Sequence, residues 1–326
     1  MHKRTAVVLL NLGGPDSLAA VEPFLVNLFS DPDIFKFPLA SLTQKFIARW
    51  VARRRAPEAR LGYQAIGGAS PLLANTRKQA DALSAALAHE GGFDVFIAMR
   101  YWHPLTGEVV ARLKQGHYQR VILLPLYPQY SLTTTGSSYN EFTRECARQQ
   151  YLPRVNLIHH WYDQPDYQQA VVETLQAELA CLPVPDPAKV DVLFSAHGLP
   201  QKIVDAGDVY EQQIRATYDA LRARLGWPRT TLCYQSRVGP LKWLQPYAEN
   251  VIKELAAGGA KQMLVYPIAF VSDHVETLYE LGITYAELAR AQGVSHYRVV
   301  PALNDHPLLI QALKRLVLDA DRKIYD

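Results

Sequence analysis

Six short apolar runs, each leading into a polar or glycine-containing turn, constrain this 326-residue chain more than any other feature. They are TAVVLLN (5–11), FDVFIAM (93–99), RVILLPL (120–126), VDVLFSA (190–196), TTLCYQ (230–235) and QMLVYPIA (262–269). Nearly continuous apolar runs separated by amphipathic stretches predict strands covered on both faces by crossover helices. Ile214, Tyr218, Leu221 and Leu225 mark one such helix before "GWP" stops it. A second is predicted from about Trp243 to Ala257, with Gly258 and Gly259 as a left-handed C-cap. The class is α/β with mainly parallel sheets.

The two halves of the chain echo one another. "VVLLNLGGP" parallels "VDVLFSAHGLP", and "RVILLPLYPQYS" parallels "QMLVYPIAFVS". This reads as two Rossmann-like halves, each a parallel sheet flanked by helices, at 1–185 and 186–326 with the boundary in the proline-rich "CLPVPDPAKV" (181–190). Ligands of open α/β sheets bind beyond the carboxyl ends of the strands, so residues just past each run are the informative ones.

Composition removes several classes. A net charge of +3 does not argue for nucleic acid. The apolar run after "MHKR" is too short for a signal peptide and is broken by Gly13, Gly14 and Pro15. No stretch is long enough to cross a bilayer as a helix. Cys146, Cys181 and Cys233 are scattered and form no C-x-x-C. "NLGGP" is not G-x-G-x-x-G, and "LPLYPQYSLTTTGSS" lacks the lysine of a phosphate loop, so no nucleotide cofactor is expected. The expectation is a cytoplasmic enzyme.

Past the strand ends lie the candidate chemical groups. His197, in "SAHGLP", is either a turn residue or a base titrating near neutrality. In "FVSDHVETLYEL", Asp273 and Glu276 fit a capping box. The same stretch also holds His274 and Glu280, a density of imidazole and carboxylate that suits a borderline divalent metal. "CYQSRVGP..WLQP" offers Gln235, Ser236 and Arg237 beside Trp243, a set suited to a planar anion. "AMRYWHP" adds Arg100 and Tyr101. Between 24 and 61, Phe24, Phe29, Ile34, Phe35 and Phe37 precede a basic amphipathic stretch with Lys45, Arg49, Arg53, Arg54, Arg55 and Arg60. That stretch reads either as a surface helix with its apolar stripe in the core or as a lip for an anionic membrane or an apolar carboxylate ligand.

"VVLLNLGGPDS", "GGASPL", "AMRYWHP", "LPLYPQYS..TTGSS", "SAHGLP", "CYQSRVGP..WLQP" and "FVSDHVETLYEL" together resemble the ferrochelatases, in family order from residue 7 to residue 281. The resemblance implies insertion of Fe²⁺ into protoporphyrin IX, with release of two protons, in a cleft between two Rossmann-like halves. It implies His197 and Glu276 as catalytic and metal-contacting residues, with Asp273, His274 and Glu280 on a proton or metal path. Asn11, Leu12, Arg100, Tyr101, Gln235, Ser236, Trp243 and Phe270 are implied as porphyrin-binding residues. No permanently bound cofactor is implied, and with no cysteine after Cys233 a [2Fe-2S] cluster is not expected. Leu12 stands where coproporphyrin-specific members carry tyrosine, which points to protoporphyrin IX. A coproporphyrin ferrochelatase, a cobalt chelatase of tetrapyrrole synthesis and a non-catalytic tetrapyrrole carrier stay open as alternatives.

Overall fold

In the computed structural model, which describes residues 4–35, 40–237 and 239–325, all six runs form strands. Two short strands join them, giving two four-stranded, all-parallel sheets. The first contains β1 (Thr5–Asn11), β2 (Phe93–Met99), β3 (Arg120–Pro125) and β4 (Arg154–Leu157), in the order β2-β1-β3-β4. The second contains β5 (Asp191–His197), β6 (Thr230–Gln235), β7 (Gln262–Tyr266) and β8 (His296–Val299), in the order β6-β5-β7-β8. The two orders are the same, as the internal echo in the sequence suggested.

Central strands are the buried ones. Every residue of β1 and β7 is buried, and β5 is buried up to His197. Parallel sheets with helices on both faces demand this continuous apolar character. The edge strands RVNL and HYRV are only four residues long and partly exposed, so no apolar run marked them. β7 stops at Tyr266 instead of running to 269, because Pro267 has no N–H for the ladder. Register brings strand ends together in pairs: Asn11 lies beside Met99, and His197 beside Gln235.

The chain divides into two compact units, residues 1–161 with 310–326 and residues 162–309, rather than at the expected 185/186 boundary. Two helices account for the difference. Pro165–Ala180 belongs with the second unit, where Tyr167 donates to the Ile268 carbonyl at 3.4 Å. Pro307–Tyr325 returns, from Ile310 onward, to the first, where the Asp321 carboxylate accepts from Thr5 Oγ1 (3.1 Å) and Lys314 pairs with Glu90 (2.7 Å). Neither link is local, so a linker composition could not reveal it.

Two further expectations change. The helix predicted from Trp243 begins at Ala248, since the segment before it is extended and Tyr234 N–H donates to the Pro246 carbonyl. Its end is capped by Gly258 in a right-handed conformation, and only Gly259, at φ +92°, is left-handed.

The basic helix runs Ala40–Ala65. Phe37 and its neighbours 36–39 lie outside the described residues, as does Val238. Its buried stripe is not the large apolar one. Ala48, Ala52 and Ala56 are fully buried at four-residue spacing, while Phe46 (75%), Trp50 (52%) and Leu61 (61%) are exposed. The alanine side fits a helix that lies against Val21–Phe29. The guanidinium of Arg54 sits 4.1 Å from the Trp50 ring centre, a cation–π contact. Among the described residues, no helix is long and apolar enough to cross a membrane.

Candidate active site

β5 ends on His197, and the next residues explain how the chain leaves the sheet. Gly198 N–H donates to the Gln235 carbonyl at 2.9 Å. A Cβ on Gly198 would lie 3.0 Å from that carbonyl oxygen and 3.4 Å from the Trp243 ring. Close approach, not a left-handed turn, is therefore why glycine follows the histidine. Pro200 bridges to Trp243, and the Tyr210 hydroxyl donates to the His197 carbonyl at 3.0 Å. Both His197 and Trp243 are held from their backbones.

The imidazole of His197 faces Glu276, with Nδ1 2.8 Å from Oε2. Side-chain exposures of 35% and 24% put the pair at an accessible surface rather than in the core. Burial works against a charged His197, but the Glu276 carboxylate, by charge and by hydrogen bond, raises its pKa above 6.5. Burial likewise opposes the Glu276 charge, and His197 overcomes it and holds that carboxyl below the usual range. A carboxylate only accepts, so Nδ1 carries hydrogen and Nε2 is the basic nitrogen of the neutral ring.

Glu276 opens a π-helix, Glu276–Thr284, closed by the Tyr285 N–H donating to the Glu280 carbonyl five residues back. π-turns of this kind gather at functional sites. The capping box read from Asp273 and Glu276 does not form. Asp273 Oδ1 accepts from Thr277 Oγ1 (2.9 Å) and Ala302 N–H (3.2 Å), and its Oδ2 from Asn304 Nδ2 (2.8 Å). The Glu276 carboxyl instead reaches His197 and Ser236. Asp273 thus anchors the start of this helix to the segment 302–304.

His274 is buried, and its Nδ1–H donates to the Ser272 carbonyl at 3.2 Å. Burial lowers its pKa despite the neighbouring carboxylates, which keeps this ring neutral. Phe270 stacks edge-on against it at 4.3 Å between ring centres, and stands 6.4 Å from the His197 ring. Glu280 meets Ser236, Gln235 and Tyr285, and its pKa is raised by burial and by the Glu276 charge. Ser195 Oγ donates to Gln235 Oε1 at 2.7 Å, fixing the amide that reaches Glu280.

Seven of the expected residues therefore gather in the second unit: His197, Glu276, Glu280, Gln235, Ser236, Phe270 and His274, with Trp243 against the Gly198 backbone. In the first unit Asn11, Arg100 and Tyr101 have other partners. Asn11 Nδ2 donates to Thr76 Oγ1 (3.1 Å), and its Oδ1 accepts from Leu12 N–H (2.8 Å). Arg100 pairs with Asp31 Oδ2 at 2.9 Å and donates to Ser137 Oγ at 2.8 Å. Tyr101 is 1% exposed and gives its hydroxyl to the same Asp31 oxygen at 2.6 Å, so it presents no surface to a ligand here. Leu12, half-buried, follows this group.

Sequence reasoning missed Asp31, Tyr210 and Tyr285. Asp31 and Tyr285 were outside any quoted pattern of polar residues, and Tyr210 acts through a backbone carbonyl. Among the described residues, no three His, Cys, Asp or Glu side chains converge as a ready metal cage. The His197–Glu276 pair brings together nitrogen and oxygen donors of the kind suited to a borderline cation.

A family model described as Ferrochelatase matches residues 4–321. A Synechococcus sp. (strain JA-3-3Ab) protein named Ferrochelatase is 49% identical over 320 residues, covering 96% of this chain and 93% of that one. Another of that name from Geotalea daltonii is 47% identical over 317 residues, covering 97% and 98%. Among solved structures, the sirohydrochlorin chelatase SirB of Bacillus subtilis subspecies spizizenii, in complex with cobalt, superposes with a TM-score of 0.56 at 10% identity, covering 98% and 96%. CbiX, described as the terminal enzyme of sirohaem biosynthesis in denitrifying bacteria, gives 0.51 at 12%, covering 97% and 99%. These two share the fold.

Proposed function

This chain belongs to the ferrochelatase family, enzymes that insert a metal ion into a porphyrin, and on that premise we propose that His197 and Glu276 carry the reaction. The observation that supports this is the 2.8 Å pair at the end of β5, which leaves Nε2 of His197 with no other hydrogen bond among the described residues. A free-base porphyrin holds two N–H protons in the plane where Fe²⁺ must go. Insertion exchanges one dication for two protons, so charge balances without further partners. Bending the ring to expose its lone pairs costs energy of about 1–5 kcal/mol, a range that contacts to the rest of the macrocycle can offset.

In this reading Nε2 of His197 takes the two ring protons in turn, losing the first to water before it takes the second, and Glu276 stabilises the imidazolium each time. The Glu276 carboxylate, and Nε2 of His197 while it is unprotonated, also offer donors to the incoming ferrous ion. Glu280, His274 and Asp273 continue the route away from the ring, Asp273 by fixing the helix start. Phe270, Trp243 and Leu12 are proposed as apolar walls, with Gln235 among the polar lining. Arg100, Tyr101 and Asn11 act through the network that holds their own strand ends.

The substrate we assign is protoporphyrin IX, on Leu12. Anaerobic mixing of protein, Fe²⁺ and porphyrin, followed by absorbance, tests both assignments. Haem should form from protoporphyrin IX with a higher kcat/KM than from coproporphyrin, and a reversed ratio would overturn the substrate choice. No product from either ring would return the carrier reading.

We also assign a peripheral membrane contact to the segment 24–61 of an enzyme working in the cytoplasm. Exposed Phe46, Trp50 and Leu61 among Arg49, Arg53, Arg54 and Arg55 support it. Amphipathic basic helices of this type bind anionic lipid by charge and apolar area together. Reversing Arg53, Arg54 and Arg55 to Glu should abolish co-sedimentation with anionic vesicles, and unchanged sedimentation would remove the contact.

A further inference from the structure

Ser236 was expected to line the porphyrin site, but its polar groups are turned elsewhere. Its N–H donates to Glu280 Oε1 at 2.9 Å. Its hydroxyl lies 3.1 Å from Glu276 Oε2 and is also hydrogen-bonded to Glu280 Oε2. The backbone that aims both groups at one helix is left-handed, with φ +65°, a conformation that serine adopts only at some cost. Glu276 Oε2 is also the atom that meets His197 Nδ1. One carboxylate oxygen is thereby fixed from two sides.

We infer that Ser236 is a positioning residue of the reaction, a yoke that holds the Glu276 and Glu280 carboxyls together behind His197, and not a wall of the porphyrin pocket. The inference rests on the roles given to His197 and Glu276 above. A hydroxyl has one hydrogen to give. With two carboxyl oxygens already at Ser236 Oγ, none remains for a carboxylate of the substrate. Without the yoke, Glu276 keeps only its bond to His197 and can rotate, carrying the imidazole with it. Outer groups that orient a reactive side chain act in this way, and misplacement by ~1 Å can cost about 10²-fold in rate. Gln235 completes the arrangement, its Nε2 standing 3.4 Å from both Ser236 Oγ and Glu280 Oε2.

The test is Ser236→Gly, which removes the hydroxyl and suits the left-handed backbone. Expected are a kcat lowered by about 10- to 100-fold, with the porphyrin KM and fluorescence-monitored porphyrin binding within about twofold of wild type. Glu280→Gln and the double variant complete the set. If one yoke links the residues, the double variant should be no more than about threefold slower than the worse single, since coupled sites are not additive. A raised KM with intact kcat would make Ser236 a pocket wall, and an unchanged kcat or multiplicative losses would also overturn the yoke. Ser236→Ala, read by the same kcat–KM split, replaces the glycine variant if that one fails to fold. His197→Ala assayed alongside separates the two claims. Activity retained there removes the underlying reading, whereas an inactive His197→Ala beside a fully active Ser236→Gly removes only the yoke.

Discussion

The ends of β1 and β2 and the ends of β5 and β6 occupy equivalent places in two sheets of one strand order, yet their polar residues have opposite fates. At the first, Arg100, Tyr101 and Ser137 all turn on the fully buried carboxylate of Asp31, and Asn11 turns to Thr76. At the second, His197, Glu276, Ser236 and Glu280 turn on one another and stay partly open. The difference is one of stoichiometry. Where an acid meets enough donors of its own, the cluster stabilises the fold. Where two acids share a hydroxyl and only one of them meets an imidazole, Nε2 of that ring is left without a partner among the described residues.

The largest effect that would sharpen this contrast is on activity. His197→Ala should lower the chelation rate by about 10²- to 10⁴-fold, the range of a lost general base, with the melting curve little changed. A rate within a few-fold of wild type, measured by haem absorbance, would break the contrast. Next comes stability at the other end. Asp31→Ala leaves Arg100 without its buried partner and should cost about 3–5 kcal/mol in denaturant unfolding. A loss near that of an ordinary surface change would show the first cluster to be dispensable.

The smallest effect is in titration. The His197 pKa stands above 6.5 because of Glu276, so Glu276→Gln should move the midpoint seen by NMR to lower pH. The corresponding stability runs in the same sense. For a raised histidine it is fully present below pH 6.5 and fades as pH rises through the folded midpoint. For the depressed Glu276 it is present above the ordinary 4.5 and fades as pH falls through the folded value. The pair is therefore best held between these limits, and an unmoved His197 midpoint in Glu276→Gln would deny the coupling.

Much of this was legible from residues alone. All six long strands appeared as apolar runs, because a strand covered on both faces must be apolar throughout. β4 and β8 did not, because they are edge strands of only four residues with polar positions, too short to form a run, whereas the edge strands β2 and β6 are longer and mostly apolar. His197 and Glu276 stood out as reactive types just past strand ends, where parallel sheets expose their sites. For Ala40–Ala65 the sequence left two readings open; its core stripe is alanine, and no hydropathy pattern distinguishes a small buried residue from a small exposed one.

The sequence by itself determined the class of fold, the strand ends that matter and, through seven ordered motifs, the family. Only the tertiary structure decided which polar residues are satisfied and which are not. Arg100 and Ser236 look alike in the sequence as polar groups beyond a strand. One belongs to a closed ion cluster because Asp31, 69 positions earlier, is folded against it. The other joins two acids because a π-helix 40 residues later turns both toward it. Hydrogen bonds saturate, and the partners that saturate them come from distant parts of the chain.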